Sequence, residues 1–343
     1  MITVIIAGGS GTRLWPLSTP DYPKHLLKVN DDKLSLLQQT YFRAKRLSNK
    51  IYVVSEAGHI KHVKSQLPEL TAKDFITEPA RRGTANCVIA ALAQISKHHD
   101  ENEPIAFMAA DHYIRDVAGF VHSFHTALNT TKSTNSIVLI GVEPSYPATG
   151  FGYIEKGEVL SESNFVFRVK SFREKPDFNT ARTYEQSGNY LWNCSYFVGS
   201  LKAFLDAMTT YAPEMKSNYQ KLKAAKTSAQ FKTTYLSFEP IAVDYALIEK
   251  VKNLLVVPAD FDWKDLGSFR DLAQAATGDA SGNHIRGAKI ETEAVQNSFI
   301  QNDETKPLAV IGLDNVVVVN TPHGLVVARK DLSQKIGDIS KRF

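Results

Sequence analysis

A continuous apolar run at residues 2–6 opens straight into Ala7-Gly8-Gly9-Ser10-Gly11-Thr12-Arg13-Leu14-Trp15-Pro16. Mostly β-branched residues without polar alternation fit a strand buried on both faces, the habit of parallel sheets covered by helices. A glycine-rich turn at the end of such a strand lets backbone N–H groups approach a phosphate with no Cβ in the way. Arg13 adds a guanidinium fork matched to phosphate oxygens. Lys24, in Tyr22-Pro23-Lys24, adds a second cation. The letters exclude three other glycine loops. No Lys-Ser/Thr follows, as a GxxxxGK[ST] loop requires. A GxGxxG fingerprint begun at Gly9 meets Leu14 in its third position, and a GxSxG elbow begun at Gly8 ends on Thr12.

Short apolar runs then alternate with helical patterns. A helix is expected over 34–47, where Leu36, Leu37, Tyr41, Ala44 and Leu47 share one face. Strands follow at 51–54, 105–108 and 137–142, with helices at 85–96 and 117–128. This βαβα order predicts an α/β fold: a doubly wound, mostly parallel, Rossmann-like sheet with right-handed crossovers. Further strands at 151–154, 165–172 and 191–198, and helices near 179–188 and 202–226, extend the sheet and build one wall of a pocket. At Gly278-Asp279-Ala280-Ser281-Gly282-Asn283 the texture changes to a linker-like cluster. Short β-rich runs come after it, at 288–290, 299–301, 308–311, 316–319 and 325–327. A catalytic domain over 1–278 and a small C-terminal β-rich domain over 279–343 are expected. The smaller one would serve oligomer contact or cover the larger.

Composition narrows the functional classes. The 343 residues suit about two domains. With 43% hydrophobic and 22% charged residues, collagen-like, low-complexity and disordered chains are excluded. Lys+Arg 40 against Asp+Glu 36 leaves +4 and no basic block, so no nucleic-acid partner is expected. A few cations converging on one cleft would still suit a small anion. Cys87 and Cys194 lack zinc or redox spacing and read as reduced, buried thiols. Neither a signal-peptide core nor a membrane span is legible, so a cytoplasmic protein is expected. His59/His62 and His98-His99 read as solvated surface.

The segment GGSGTRLWPLS followed by YPK resembles the opening of the nucleotide-diphospho-sugar pyrophosphorylases, specifically the bacterial mannose-1-phosphate guanylyltransferases. The likeness runs in order along the whole chain. Glu78-Pro79 with Gly83-Thr84-Ala85 is similar to the family's base-binding segment, and Ala110-Asp111-His112 to its metal-binding strand end. Thr149-Gly150-Phe151-Gly152-Tyr153-Ile154 and Arg173-Glu174-Lys175-Pro176 resemble its sugar-phosphate segments. Trp192-Asn193 resembles its sugar-contact strand, and Asp262-Trp263-Lys264-Asp265-Leu266-Gly267 its second metal segment. The form without a fused isomerase domain is expected. Four positions depart from the pattern: His25 for the usual Gln, Gly83 for Asn, Asn86 for Pro and Ala109 for Pro.

The resemblance implies that GTP and mannose 1-phosphate give GDP-mannose and diphosphate by direct attack of the sugar phosphate on the α-phosphorus. It implies Ala7, Gly8, Gly9, Gly11, Thr12, Arg13, Glu78, Gly83 and Thr84 around the nucleotide, and Arg13, Lys24 and Asp111 in catalysis. Gly150, Gly152, Glu174, Lys175 and Asn193 would take the sugar phosphate. Asp111 and Asp265 would bind Mg²⁺, with Asp262 the alternative to Asp265, and a homodimer is expected. The residues suit that chemistry. Two anions must be brought together, and no protein nucleophile is needed because the sugar phosphate is already ionised. Asp111 follows an apolar strand, at the sheet edge where open α/β folds bind ligands, although by itself an aspartate there also reads as a turn or cap. Lys175 by itself reads as a surface ion pair with Glu174. Two other readings stay open: a relative acting on glucose 1-phosphate with ATP or UTP, and a non-catalytic nucleotide-sugar sensor.

Overall fold

The computed structural model describes residues 1–9, 11–29, 33–161 and 165–342. The first part of the chain runs β1 (Ile2–Ala7), α1 (Leu36–Lys45), β2 (Lys50–Glu56), α2 (Ile60–Gln66), β3 (Phe75–Glu78) and α3 (Gly83–Ile95). It continues through β4 (Pro104–Ala109), β5 (His112–Tyr113), α4 (Val117–Thr134) and β6 (Val138–Val142). Local chemistry sets the helix starts. Ser35 and Gln38 form a reciprocal capping box on α1, and Asp116 accepts from the Gly119 N–H at the start of α4. Along β1 successive side chains enter opposite cores. Ile2 and Val4 join Val88 and Leu92 of α3, whereas Ile5 and Ala7 join Leu37 and Tyr41 of α1 and Phe120 and Phe124 of α4. Each such fully buried aliphatic contributes about 1.5–3 kcal/mol.

The middle of the chain supplies β7 (Tyr153–Ser161), β8 (Val166–Arg173), α5 (Phe178–Ser187), β9 (Tyr190–Ser200), α6 (Leu201–Tyr211) and α7 (Pro213–Ala224). It then forms α8 (Ser228–Leu236), α9 (Val243–Ala246), β10 (Leu255–Pro258), β11 (Lys264–Asp265) and α10 (Phe269–Ala275). The main sheet has the order β3-β2-β1-β4-β9-β6-β10-β8-β7. The expectation of a mostly parallel sheet needs correction here. β3, β2, β1 and β4 are mutually parallel and β10 is parallel to β6, but β9 lies antiparallel to both β4 and β6. β7 pairs antiparallel with β8 and β9. A parallel pair needs a long crossover, and the chain turns from β7 into β8 without a helix.

After residue 283 come β12 (His284–Gly287), β13 (Ile290–Glu293), β14 (Phe299–Asn302), β15 (Leu308–Ile311), β16 (Val316–Thr321) and β17 (Gly324–Arg329). His284 lies beside Phe299, Phe299 beside Val317, and Ile290 beside Leu308, all in parallel register. Successive turns of chain therefore stack as a parallel coil around Val295, Ile300, Val310 and Val318. β12 was not expected, because His284 and Arg286 break its apolar pattern; the strand expected at 288–290 falls largely between strands, β13 starting only at Ile290. The coil does not stand apart. Phe299, Val317 and Val319 share a core with Leu14, Leu27, Leu266 and Phe269, and Ile336 of α11 (Ile336–Ile339) joins it.

Two histidine readings also change. His59 is buried, with Nε2 2.7 Å from the Pro20 carbonyl, and half-buried His99 meets the Tyr52 hydroxyl at 2.9 Å and Glu103 at 3.1 Å. The His25 ring lies edge-on to His59, and the Tyr52 ring edge-on to His99. Cys87 and Cys194 are free and buried. Among the described residues no helix is long and apolar enough to cross a membrane.

Candidate active site

The carboxyl ends of β1 and β4 lie side by side, with Ile6 opposite Ala109 and the Ala110 N–H donating to the Ile6 carbonyl at 3.0 Å. The glycine turn and Asp111 therefore leave the sheet together. Ser10 lies outside the described residues. Gly9 has φ +96° and open space where a side chain would stand. Gly11 has φ +60°, and a Cβ there would come 2.6 Å from Lys24 Cβ, so only glycine lets the turn rest on Lys24. Ala7 is fully buried and faces the core.

Lys24 is the centre of the arrangement. It is 5% exposed, and its Nζ lies 2.5 Å from Asp265 Oδ1 and 3.1 Å from Asp111 Oδ2. Asp265 reaches this point because β11 pairs antiparallel with β5, which sets it opposite His112. Burial alone would lower Lys24, but Asp111 and Asp265 outweigh it and hold the ammonium above its ordinary range. Burial likewise works against ionised Asp111, yet Lys24 holds that carboxyl well below the usual carboxylate range. Asp262 faces elsewhere. Its Oδ1 accepts from the backbone N–H groups of Arg115 and Asp116, both at 2.8 Å, so it is committed to the loop before α4. His25 is buried and pushed down to about 4 by desolvation, which keeps it neutral.

A cavity of about 290 Å³ joins Gly8, Gly9, Glu78, Gly83, Thr84 and Asp111 on one side to Ser195 and Asp244 on the other. Gly83 begins α3 at φ +79°, and a Cβ there would lie 2.3 Å from the Ile241 carbonyl oxygen. Asn86 fits the same contact, because its Nδ2 donates to the carbonyls of Arg82 at 2.7 Å and Glu239 at 2.8 Å. These two departures from the family pattern are thus explained together by the segment packed on the start of α3. Thr84 Oγ1 accepts from Val243 N–H at 2.9 Å, tying α3 to α9.

On the far side Asn193 Nδ2 donates to Asp244 Oδ1 at 2.8 Å, and Asn193 Oδ1 accepts from Ser195 N–H at 3.0 Å. A register shift in β9 and a positive φ at Ser195 make that second bond possible. Lys175 Nζ lies 3.1 Å from Glu174 Oε1, while Glu174 Oε2 is buried without a partner among the described residues. A Cβ on Gly152 would meet that oxygen at 2.4 Å, so Gly152 makes room for Glu174; Gly150 sits in open space. Burial raises Glu174 and Asp244 from their ordinary carboxyl values, and the nearby charge of Glu249 adds to both shifts.

Arg13 stands apart from the cavity. Its Nη1 donates to Gln334 Oε1 at 3.1 Å, and Gly267 and Gly337 pack against its side chain. The Thr12 carbonyl accepts from Ser340 Oγ at 3.4 Å. The C-terminal region therefore covers the Arg13 turn. Asp244 and Tyr235, which hydrogen-bonds Glu78, escaped the sequence reading. The one signal available for Asp244 was an acid set among apolar residues at 241–248.

A phosphate-sized turn, a buried cation between two aspartates and a second polar wall describe a site for two anionic substrates. Residues 2–282 match the family model described as Nucleotidyl transferase, and residues 287–343 that described as MannoseP isomerase/GMP-like beta-helix domain. Fold and site together define a nucleotidyltransferase domain carrying an appended β-helix. An Escherichia coli mannose-1-phosphate guanylyltransferase is 34% identical over 99% of this chain and 75% of its own length. The Salmonella typhimurium mannose-1-phosphate guanylyltransferase RfbM is 33% identical over 99% of this chain and 72% of its own. A Thermus thermophilus crystal structure, described as a mannose-1-phosphate geranyltransferase, superposes with a TM-score of 0.89 at 26% identity, covering 99% of this chain and 98% of that chain. The chain belongs to the mannose-1-phosphate guanylyltransferase family.

Proposed function

We propose that this chain transfers the guanylyl group of GTP to mannose 1-phosphate, releasing diphosphate and forming GDP-mannose. The observation that carries the reading is the ion triad of Lys24, Asp111 and Asp265 at the sheet edge, directly beside the glycine turn. Family membership supports the substrates, since the guanylyltransferases similar to this chain are named for mannose 1-phosphate.

In this reading Gly8, Gly9 and Gly11 offer backbone N–H groups to the triphosphate, and Arg13 and Lys24 offset its charge. Glu78, Gly83 and Thr84 line the base end. Asn193 and the unpartnered Glu174 oxygen take sugar hydroxyls, and Lys175 takes the sugar's phosphate. Held between these walls, the phosphate oxygen of the sugar faces the α-phosphorus in line with the leaving diphosphate. Mg²⁺ fits this donor set. Asp111 and Asp265 bring two carboxylates together around Lys24, and Mg²⁺ typically takes one or two carboxylates with phosphate and water completing its shell. When bound, the ion would neutralise charge developing on the phosphates.

Several finer readings belong to the same proposal. The β3-β2-β1-β4 half, with helices on both faces, supports the doubly wound, Rossmann-like description. A division at 278/279 is supported by the turn in which Asp279 accepts from Asn283 N–H at 2.9 Å. A cytoplasmic homodimer completes the reading, and sedimentation tests the oligomeric half of it. Diphosphate release across a nucleotide-by-sugar matrix tests the reaction. Turnover should be highest with GTP and mannose 1-phosphate, and failure with that pair rejects it.

A further inference from the structure

Glu78 ends β3 and lines the cavity beside Gly8, Gly9 and Thr84. Behind it, outside the cavity, lies Tyr235 of α8, a fully buried side chain whose ring packs between Phe231 and Phe238. The Tyr235 hydroxyl donates to Glu78 Oε1. No other hydrogen bond of that hydroxyl is seen among the described residues, so reversing its direction would leave a buried O–H unsatisfied. Desolvation raises Glu78 to about 7, opposed by the Tyr235 and Cys87 hydrogen bonds and by Arg81, while Glu56 across the strand pair pushes it further up.

We propose that Tyr235 is a positioning residue that sets the base preference of the site. By pinning one oxygen of Glu78, it presents the ionised carboxylate to the base as a fixed acceptor, so nucleotide titrations are run at pH 8, above the value of about 7. A base with adjacent N–H donors on its Watson–Crick edge, as in guanine, matches that acceptor. A base with a ring-nitrogen acceptor there, as in adenine, is opposed. The inference rests on the reading that this end of the cavity holds the base.

The direction of the hydroxyl gives a test whose sign a merely structural role would not reproduce. In Glu78→Gln the hydroxyl still claims the oxygen, turning the amide NH₂ toward the cavity. Calorimetric titration with GTP, ITP and ATP should then show the GTP-over-ATP preference falling by about tenfold or more. ITP, which lacks the exocyclic amine, separates the two guanine donors. Tyr235→Phe alone should weaken GTP by about tenfold and ATP far less. In the double variant the amide is free to flip, so GTP binding should recover relative to Glu78→Gln. Equal losses for all three nucleotides, or additive losses in the double variant, overturn the proposal. Should Tyr235→Phe fail to fold by circular dichroism, an unchanged GTP preference in Glu78→Gln overturns it alone. Nucleotide discrimination without turnover of mannose 1-phosphate counts against the reaction instead.

Discussion

The two walls of the cleft treat buried carboxylates in opposite ways. Beside the glycine turn Asp111 and Asp265 enclose the ammonium of Lys24, and Asp111 is held low. Across the cleft Glu174 and Asp244 are buried beside the half-exposed Lys175, the Asn193 amide and the like charge of Glu249, and burial pushes both up. The first wall keeps its charge and can exchange partners with a phosphate or a cation. The second is buried without a matching buried cation, so ionisation is costlier there. What separates the two walls is whether a cation was buried with the acid.

The sharpest way to break this contrast is Asp111→Asn. It leaves Lys24 with one carboxylate and removes half the negative charge at the centre of the site. Turnover should fall by about two to three orders of magnitude while circular dichroism keeps its folded signature; the melting temperature should fall, because Lys24 keeps Asp265 but loses the ion pair with Asp111. Near-normal diphosphate release would take Asp111 out of the reaction.

Glu78 sharpens the comparison, because it lines the cavity with Gly8 and Asp111 yet lacks a buried cation, as Glu174 and Asp244 do. Its folded value of about 7 exceeds the unfolded value of 4.5, so ionisation opposes folding. The stability it lends is complete below about pH 4.5 and is lost as pH rises to about 7, amounting to about 3 kcal/mol. Asp111 has the reverse sign, lending stability above the ordinary carboxyl range that is lost only on acidification. Urea unfolding between pH 4.5 and 8 should show the wild type losing stability relative to Glu78→Gln. Parallel curves would mean that burial without a cation is not the deciding factor.

The legible part of the molecule is the part whose chemistry sits in consecutive residues. The run into Gly8, Gly9 and Gly11 shows strand and turn at once, and Asp111 follows its strand by position alone. Asp265 was separable from Asp262 only in three dimensions, where β11 turns one toward Lys24 and a loop consumes the other. Tyr235 meets Glu78 across 157 residues, a contact that helical periodicity cannot announce. The antiparallel insertion of β9 was hidden for a related reason. Its apolar run reads the same in either direction, and direction is decided by the missing crossover between β7 and β8.

On the wall without a buried cation, Lys175 is the exposed cation, pinned to Glu174 at 3.1 Å with its backbone at φ +46°. Lys175→Ala should raise the KM for mannose 1-phosphate by about tenfold and leave that for GTP nearly unchanged. The opposite pattern would move Lys175 to the nucleotide side and dissolve the division between the walls.

Arg13 is the matching exposed cation of the charged wall, and it is held by a neutral amide from the C-terminal region rather than by an acid. A neutral tether fixes the guanidinium without cancelling its charge, so it stays available to a triphosphate, whereas Glu174 partly spends the charge of Lys175. Gln334→Ala removes one exposed hydrogen bond and no charge. The KM for GTP should rise about threefold, with kcat and the KM for mannose 1-phosphate within error of wild type. Gln334→Glu should raise it more, because an acid there would compete for the guanidinium as Glu174 competes for Lys175. If the glutamate variant binds GTP as well as the wild type, the neutrality of the tether has no function, and the C-terminal region acts on Arg13 only through the packing of Gly337 and Leu14.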